Sequence, residues 1–218
     1  MNCKYISLCL LLPILLGLSS CGNTQTKPVD TTDIEIEVVE KAPEHHPEED
    51  KVIADLSFFI SKKDFEKNEK KYLEKLFDEK LNKYHIGNYD AVAYATNSYF
   101  ENDSLYYVEF EGQSYDIDNY EGKLIPQYNE LRKIYESKYG KPTFQITSFP
   151  RSYETNDGYK YELSRWDLGK RSISIKLAAG STSHRINLAI FRNDINDRIK
   201  ERKQKESKEW QESAASVI

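Results

Sequence analysis

The chain has 218 residues, of which 39% are hydrophobic and 31% are charged, and its formal net charge is −5. The acidity is unevenly distributed, because residues 51–218 carry 28 of the 31 basic residues and 27 of the 36 acidic residues, a net charge of +1. A nucleic-acid-binding domain needs basic side chains clustered on a basic domain, so we expect no nucleic-acid partner.

The first 20 residues are predicted to be an export signal. Lys4 precedes an apolar run from Ile6 to Leu18. A membrane-spanning helix needs about 20 apolar residues, so this run is too short to span a bilayer but is typical of the apolar region of a signal peptide. Pro13 also disfavours a permanent membrane helix.

The apolar run ends in Leu18-Ser19-Ser20-Cys21-Gly22. This segment resembles the lipobox of bacterial lipoproteins, in which a branched apolar residue and two small residues precede the modified cysteine. The resemblance implies cleavage before Cys21, a diacylglyceryl thioether on its sulfur and further acylation, for example with palmitate, of the new amino terminus. Two or more acyl chains anchor a protein far longer than one does. The alternative is an ordinary secretory signal in which Cys21 is incidental.

Residues 21–50 are predicted to be the acylated cysteine followed by a disordered acidic linker. Nine acidic residues, two basic residues and three prolines occupy positions 22–50, a composition that favours disorder. The alternating run Ile34–Val39 also fits a strand added to a sheet edge. Gly22, and not Asp, follows Cys21, which by analogy with enteric bacteria favours the outer membrane of the cell envelope.

Residues 51–218 are predicted to form one globular domain. All three cysteines lie at or before Cys21, so this domain has no disulfide and depends on its core for stability. A first helix is expected to start at Ser61 and run to about Leu81. A second is expected from Leu124, with Pro126 in its first turn and Gly140 at its end. Ile195 and Ile199 continue at helical spacing into a charged C-terminal helix.

Strands account for most of the remaining domain. Residues 143–191 alternate between apolar and polar side chains, and short turns at Gly158, Gly169 and Gly180 separate the alternating runs. Alternation of this kind indicates strands with one face buried and the other wet or lightly covered. The expected fold class is therefore α+β: an antiparallel meander sheet with two packed helices and a C-terminal helix.

Tyrosine is abundant, with 16 in the chain. Tyrosine combines apolar area with a hydrogen-bonding tip and is common at interfaces, although it is also a common strand residue. Seven tyrosines form a candidate binding surface for a sugar, a peptide or a partner protein: Tyr89, Tyr94, Tyr99, Tyr107, Tyr115, Tyr120 and Tyr153. The alternative is that most of them pack at sheet edges.

The sequence predicts no catalytic, metal or cofactor site. His45 and His46 are adjacent in a flexible segment, which does not give a preformed metal site. We expect a non-enzymatic binding or scaffold module held at an envelope membrane by its lipid, with an envelope protein or a glycan as partner. The whole chain resembles lipoproteins of Bacteroidota in its general features as well as in its lipobox. The alternative is a periplasmic or surface hydrolase, which a deep polar cleft converging on His85 or His184 would favour.

Overall fold

A computed structural model describes residues 36–38, 46–93 and 99–215. Three α-helices lie within these ranges: α1 (Lys62–Tyr72), α2 (Ile125–Tyr139) and α3 (Asn193–Ala215). The strands of the described residues are β1 (Ile36–Val38), β2 (Lys51–Ile53), β3 (Leu56–Ser57), β4 (Phe77–Asp78), β5 (Lys83–Ile86), β6 (Tyr89–Ala93), β7 (Tyr99–Glu101), β8 (Ser104–Gly112), β9 (Tyr115–Asp116), β10 (Phe144–Ile146), β11 (Lys160–Leu168), β12 (Arg171–Ala179) and β13 (Ser183–Arg192).

The main sheet is antiparallel, with β11, β12 and β13 joined as a meander at its centre. Strand β8 pairs with β13 on one side of the meander, and β10 pairs with β11 on the other. Strands β6, β5 and β4 continue the sheet beyond β8. Together with the three helices, this arrangement confirms the predicted α+β fold class.

One face of the sheet packs against α2. Tyr128, Leu131 and Tyr135 of α2 are buried in the same apolar cluster as Ile173 and Ile175 of β12. Pro126 lies in the first turn of α2, and Gly140 ends the helix at a φ of 78°. A positive φ favours glycine over residues that carry a Cβ, so both predicted ends of this helix are confirmed.

Helix α1 begins as predicted but is shorter than predicted. The backbone N–H of Asp64 donates to Ser61 Oγ at 3.1 Å, which caps the first turn. The helix ends at Tyr72 and not near Leu81. The predicted end was wrong because the chain turns into β4, where Phe77 pairs with Tyr84 and contacts its ring. Phe77 therefore reaches the core from a strand and not from the predicted helix.

Folded structure also begins earlier in the chain than the predicted boundary at residue 51. Strand β1 pairs with β10, which places Ile36–Val38 in the sheet. Glu48 accepts a hydrogen bond from Tyr139 at 2.7 Å, and Asp50 forms an ion pair with the buried Arg192. Within residues 21–50, the described segments 36–38 and 46–50 are therefore ordered and are not a disordered linker: β1 is the edge strand that the run Ile34–Val39 also fits, and the buried Arg192 holds Asp50.

Helix α3 lies against the second face of the sheet, alongside β8 and β13. Its buried residues Ile195 and Ile199 form a small apolar cluster with Tyr106, against which Tyr107 packs. The sequence pattern predicts that this sheet face is wet or lightly covered. Instead, polar side chains on it, such as Glu109 and Ser174, are 1% and 0% exposed. Within the described ranges, the helices include none that is long and apolar enough to cross a bilayer.

Candidate functional site

A polar cleft of about 600 Å³ lies between α3 and the sheet face that α3 covers. The sheet contributes side chains from β8, β11, β12 and β13. Residues two apart share a face, and an irregularity between Glu162 and Ser164 brings Glu162 to the same face as Arg165. The first two turns of α3 close the other side with Asn193, Asn196, Asp197 and Lys200. We refer to this space below as the α3 cleft.

A buried carboxylate, Glu109 of β8, lies behind the α3 cleft and is 1% exposed. Lys160 Nζ donates to its two oxygens at 2.9 and 2.8 Å, Asn187 Nδ2 at 2.7 Å and the Tyr107 hydroxyl at 3.0 Å. Burial alone would raise the pKa of Glu109, but the hydrogen bonds from Lys160 and Asn187 outweigh it and the pKa is lowered. Glu109 is therefore ionised at neutral pH and orients three neighbouring side chains.

A second charged group lies on β11 at the mouth of the α3 cleft. Arg165 donates from Nη1 to Glu162 at 3.0 Å and from Nε to Asp167 at 3.1 Å. Ser174 Oγ donates to the other oxygen of Glu162 at 2.7 Å, and Ser172 Oγ donates to Asp167. These bonds fix both carboxylates before any ligand arrives.

Lys176 of β12 is mostly buried and lies at the floor of the α3 cleft. Its ammonium donates to the Tyr107 hydroxyl at 3.3 Å and lies 5.5 and 5.8 Å from the ring centroids of Tyr107 and Phe191. It forms no ion pair with any residue of the described ranges. Burial lowers the pKa of Lys176, against the opposing effect of Glu109 and Glu162.

Aromatic rings form the apolar part of the α3 cleft. Tyr107 stacks on Phe191 with ring centroids 5.6 Å apart, and Tyr99 contacts Tyr107 edge-on at 5.0 Å. Two of the seven predicted surface tyrosines, Tyr99 and Tyr107, are thus brought together beside the cleft. Tyr99 is 46% exposed, whereas Tyr107 is half-buried.

Two of the remaining predicted tyrosines belong to the core. Tyr89 is fully buried and its hydroxyl donates to the carbonyls of Phe110 and Ile186 at 3.2 and 2.8 Å. Tyr120 is 3% exposed and donates to the carbonyl of Pro150. The assignment of Tyr89 and Tyr120 to a binding surface is therefore wrong, since an alternating pattern shows which residues share a face but not which face is covered.

The other predicted residues do not join one surface. Tyr115 is half-buried and accepts a hydrogen bond from Gln127 at 3.1 Å. Tyr153 is 73% exposed in a short 3-10 helix, beside Arg151. Tyr94 and the predicted lipidation site Cys21 lie outside the described residues.

Neither His85 nor His184 lines the α3 cleft. His184 is 4% exposed, its Nε2 lies 2.8 Å from Thr155 Oγ1, and its ring packs edge-on against Tyr120. Burial lowers the pKa of His184. His85 lies on β5, which β6 separates from the cleft strand β8. Among the residues that the structure describes, no cluster of three or more metal-ligating side chains occurs.

Sequence reasoning missed the cleft residues Glu162 and Lys176 and the network behind the cleft, formed by Glu109, Lys160 and Asn187. The available signal was Ser172-Ile173-Ser174-Ile175-Lys176, where every second residue of a long strand is polar. That pattern predicts a polar face but does not show that α3 covers it. Comparison with protein-family models, with curated protein sequences and with solved structures finds no match.

Proposed function

We propose that this chain is a lipid-anchored binding protein of the cell envelope and that the α3 cleft is its ligand site. The lipobox-like segment ending at Cys21 supports the anchor, and Gly22 supports placement at the outer membrane. The observation that carries the binding proposal is the cleft itself, in which buried polar side chains are already held by hydrogen bonds. The partner is a small polar molecule or the exposed end of an envelope glycan.

Preorganisation is the physical reason for assigning binding to this cleft. Ordering a side chain at an interface costs about 0.5–1.5 kcal/mol, and the hydrogen bonds to Glu109, Glu162 and Asp167 have met that cost during folding. The volume of about 600 Å³ falls within the range of about 300–1,000 Å³ that is typical of small-molecule sites.

The hydrolase alternative needs a nucleophile together with a base. Ser172 lines the cleft, but neither histidine considered from the sequence, His85 or His184, lies there to act as its base. Binding is therefore the function that this geometry supports best. Conversion of a bound ligand into product remains the outcome that would favour a hydrolase.

The anchor is tested on the full chain expressed in a bacterium that has an outer membrane. Mass spectrometry of the purified protein is expected to show a mature amino terminus at Cys21 carrying acyl groups. The Cys21→Ser variant is expected to lose the acyl groups and to leave the membrane fraction. An unmodified terminus at another residue would refute the anchor.

The cleft is tested by screening saccharides and small polar metabolites against the detergent-solubilised full chain by thermal shift. Asn196→Trp is expected to abolish binding of any ligand found, because Asn196 lines the cleft and indole would fill it. Gln204→Trp is the matched control, since Gln204 is exposed farther along the same helix. Equal binding by both variants would place the ligand elsewhere and refute the proposed site.

A further inference from the structure

The charges of the α3 cleft are paired with one exception. Arg165 contacts Glu162 and Asp167, Lys200 contacts Asp197 at 3.2 Å, and Lys160 contacts Glu109 at 2.8 Å. Lys176 has no such partner within the described residues, although it lies deeper than Lys200, whose side chain is 62% exposed. A mostly buried ammonium without a contacting carboxylate favours a ligand that brings one.

The hydrogen-bonding capacity of Lys176 leads to the same conclusion. An ammonium group has three donors, and the acceptor that the described residues provide is the Tyr107 hydroxyl at 3.3 Å. The remaining donors lie at the floor of the cleft. A ligand oxygen placed there would accept a charge-assisted hydrogen bond, which is stronger than a neutral one.

The cleft also provides an acceptor that needs a donor. Asn193 Nδ2 donates to the carbonyl of Gly169 at 3.3 Å, which orients the amide. Its Oδ1 is buried and has no hydrogen-bond partner among the described residues. A buried acceptor left unpaired is costly, so a ligand hydroxyl that donates to Asn193 Oδ1 would be favoured.

We propose that the α3 cleft binds a saccharide carrying one carboxylate group, with the carboxylate at Lys176 and a ring hydroxyl at Asn193. This inference rests on the proposed function and specifies its ligand. The ring carbons of the sugar would pack on the apolar part of the lining, Tyr107 and Phe191. The hydroxyls would donate to the carboxylates of Glu162 and Asp167, whose positions Arg165 already fixes.

A phosphorylated sugar fits this cleft less well. Phosphate carries up to two negative charges and is best matched by several cations or by the forked donors of arginine. Here Arg165 is already shared between two carboxylates, and the negative charges of Glu109 and Glu162 already act on Lys176. A ligand carboxylate carries one negative charge and therefore adds less repulsion beside these acids than a phosphate does.

Titration calorimetry of the detergent-solubilised full chain tests the ligand class with three uronic acids, namely glucuronate, galacturonate and mannuronate. Each is compared with its neutral hexose and with the hexose 6-phosphate, and alanine serves as a zwitterionic carboxylate without a sugar ring. We expect at least one uronic acid to bind about tenfold or more tightly than its hexose and its phosphate, as a charged hydrogen bond predicts. Alanine is expected not to bind.

Two variants locate the interaction. Lys176→Met is expected to bind the uronic acid no better than the hexose, whereas Lys205→Met removes the same charge from the exposed part of α3 outside the cleft and is expected to keep the preference. Equal affinity of the wild-type chain for uronic acid and hexose, tighter binding of phosphate or alanine, or an unchanged preference in Lys176→Met would each overturn the inference. Absence of binding by all three uronic acids would overturn it as well, while any other ligand that Asn196→Trp abolishes would leave the proposed function standing.

Discussion

The buried carboxylate of Glu109 gives the sharpest test of the polar network behind the α3 cleft, through the substitution Glu109→Gln. Glutamine keeps the shape of the side chain but replaces one acceptor oxygen by an NH₂ group, which is a donor and cannot accept a bond from the Lys160 ammonium. The wild-type carboxylate accepts bonds from Lys160, Asn187 and Tyr107, and the two from Lys160 are lost or weakened in the amide.

The expected loss of stability follows from the burial of the two charges. Breaking a fully buried ion pair costs about 3–5 kcal/mol, but the Lys160 side chain is 41% exposed and water will solvate it partly. We therefore expect Glu109→Gln to lower the free energy of unfolding by about 2 kcal/mol. Glu66→Gln is the control, because its ion pair with Lys62 is on the surface and is worth less than about 1 kcal/mol.

Urea denaturation followed by tryptophan fluorescence measures this loss. Trp166 is 1% exposed and reports unfolding of the core, whereas Trp210 is 73% exposed and is replaced by Phe in both proteins to remove its background. The pKa of Glu109 is lower in the folded state than its ordinary value of 4.5. Its ionisation therefore stabilises the fold above that pH, and this stabilisation disappears as the pH falls through the folded pKa. A loss below about 0.5 kcal/mol at pH 7, or one unchanged in acid, would refute the reasoning.

Three further predictions concern Lys176, Glu48 and helix α3. Lys176→Met is expected to raise the free energy of unfolding by about 1 kcal/mol at pH 7, because it removes a buried cation. The wild-type chain is expected to become more stable as the pH rises from the lowered pKa of Lys176 towards 10.5, whereas the variant lacks this pH dependence. Glu48→Gln is expected to lower the free energy of unfolding by about 1–2 kcal/mol, since hydrogen bonds from Tyr139 and Lys138 lower the pKa of Glu48 to about 2. In urea titrations, the difference in stability between wild type and variant should shrink as the pH falls from 4.5 towards 2. A difference that stays constant would contradict the assignment. Ile199→Asp is expected to weaken docking of α3 by about 2–3 kcal/mol and to speed tryptic cleavage within the helix, whereas Trp210→Asp, at an exposed position, should cleave like the wild type.

Local sequence signals were sufficient for much of the fold. Ser61 marks the start of α1 and Gly140 marks the end of α2 because capping depends on a few adjacent residues. The turns at Gly169 and Gly180 were predicted from the same kind of short-range chemistry, and they do join β11 to β12 and β12 to β13. These features need no knowledge of distant parts of the chain.

The candidate site required information that the local pattern does not contain. Lys160 and Glu109 are 51 positions apart and meet because β8 pairs with β13 at the far side of the meander. Alternation predicted that the polar face of β12 is wet or lightly covered, but it did not predict a buried network there, since the pattern says nothing about where α3 packs. The same limit explains Tyr89, which was assigned to the candidate binding surface and which the fold buries completely.

The central claim is that the ligand binds in the α3 cleft at Lys176. Lysine footprinting of the full chain tests this claim at the ammonium group of Lys176. Reductive methylation followed by mass spectrometry measures how fast each ammonium group reacts with and without the ligand found in the saccharide screen. We expect the ligand to slow methylation of Lys176 strongly and to leave Lys205, exposed on the outer part of α3, unchanged. Unchanged reactivity of Lys176 at saturating ligand would contradict the account.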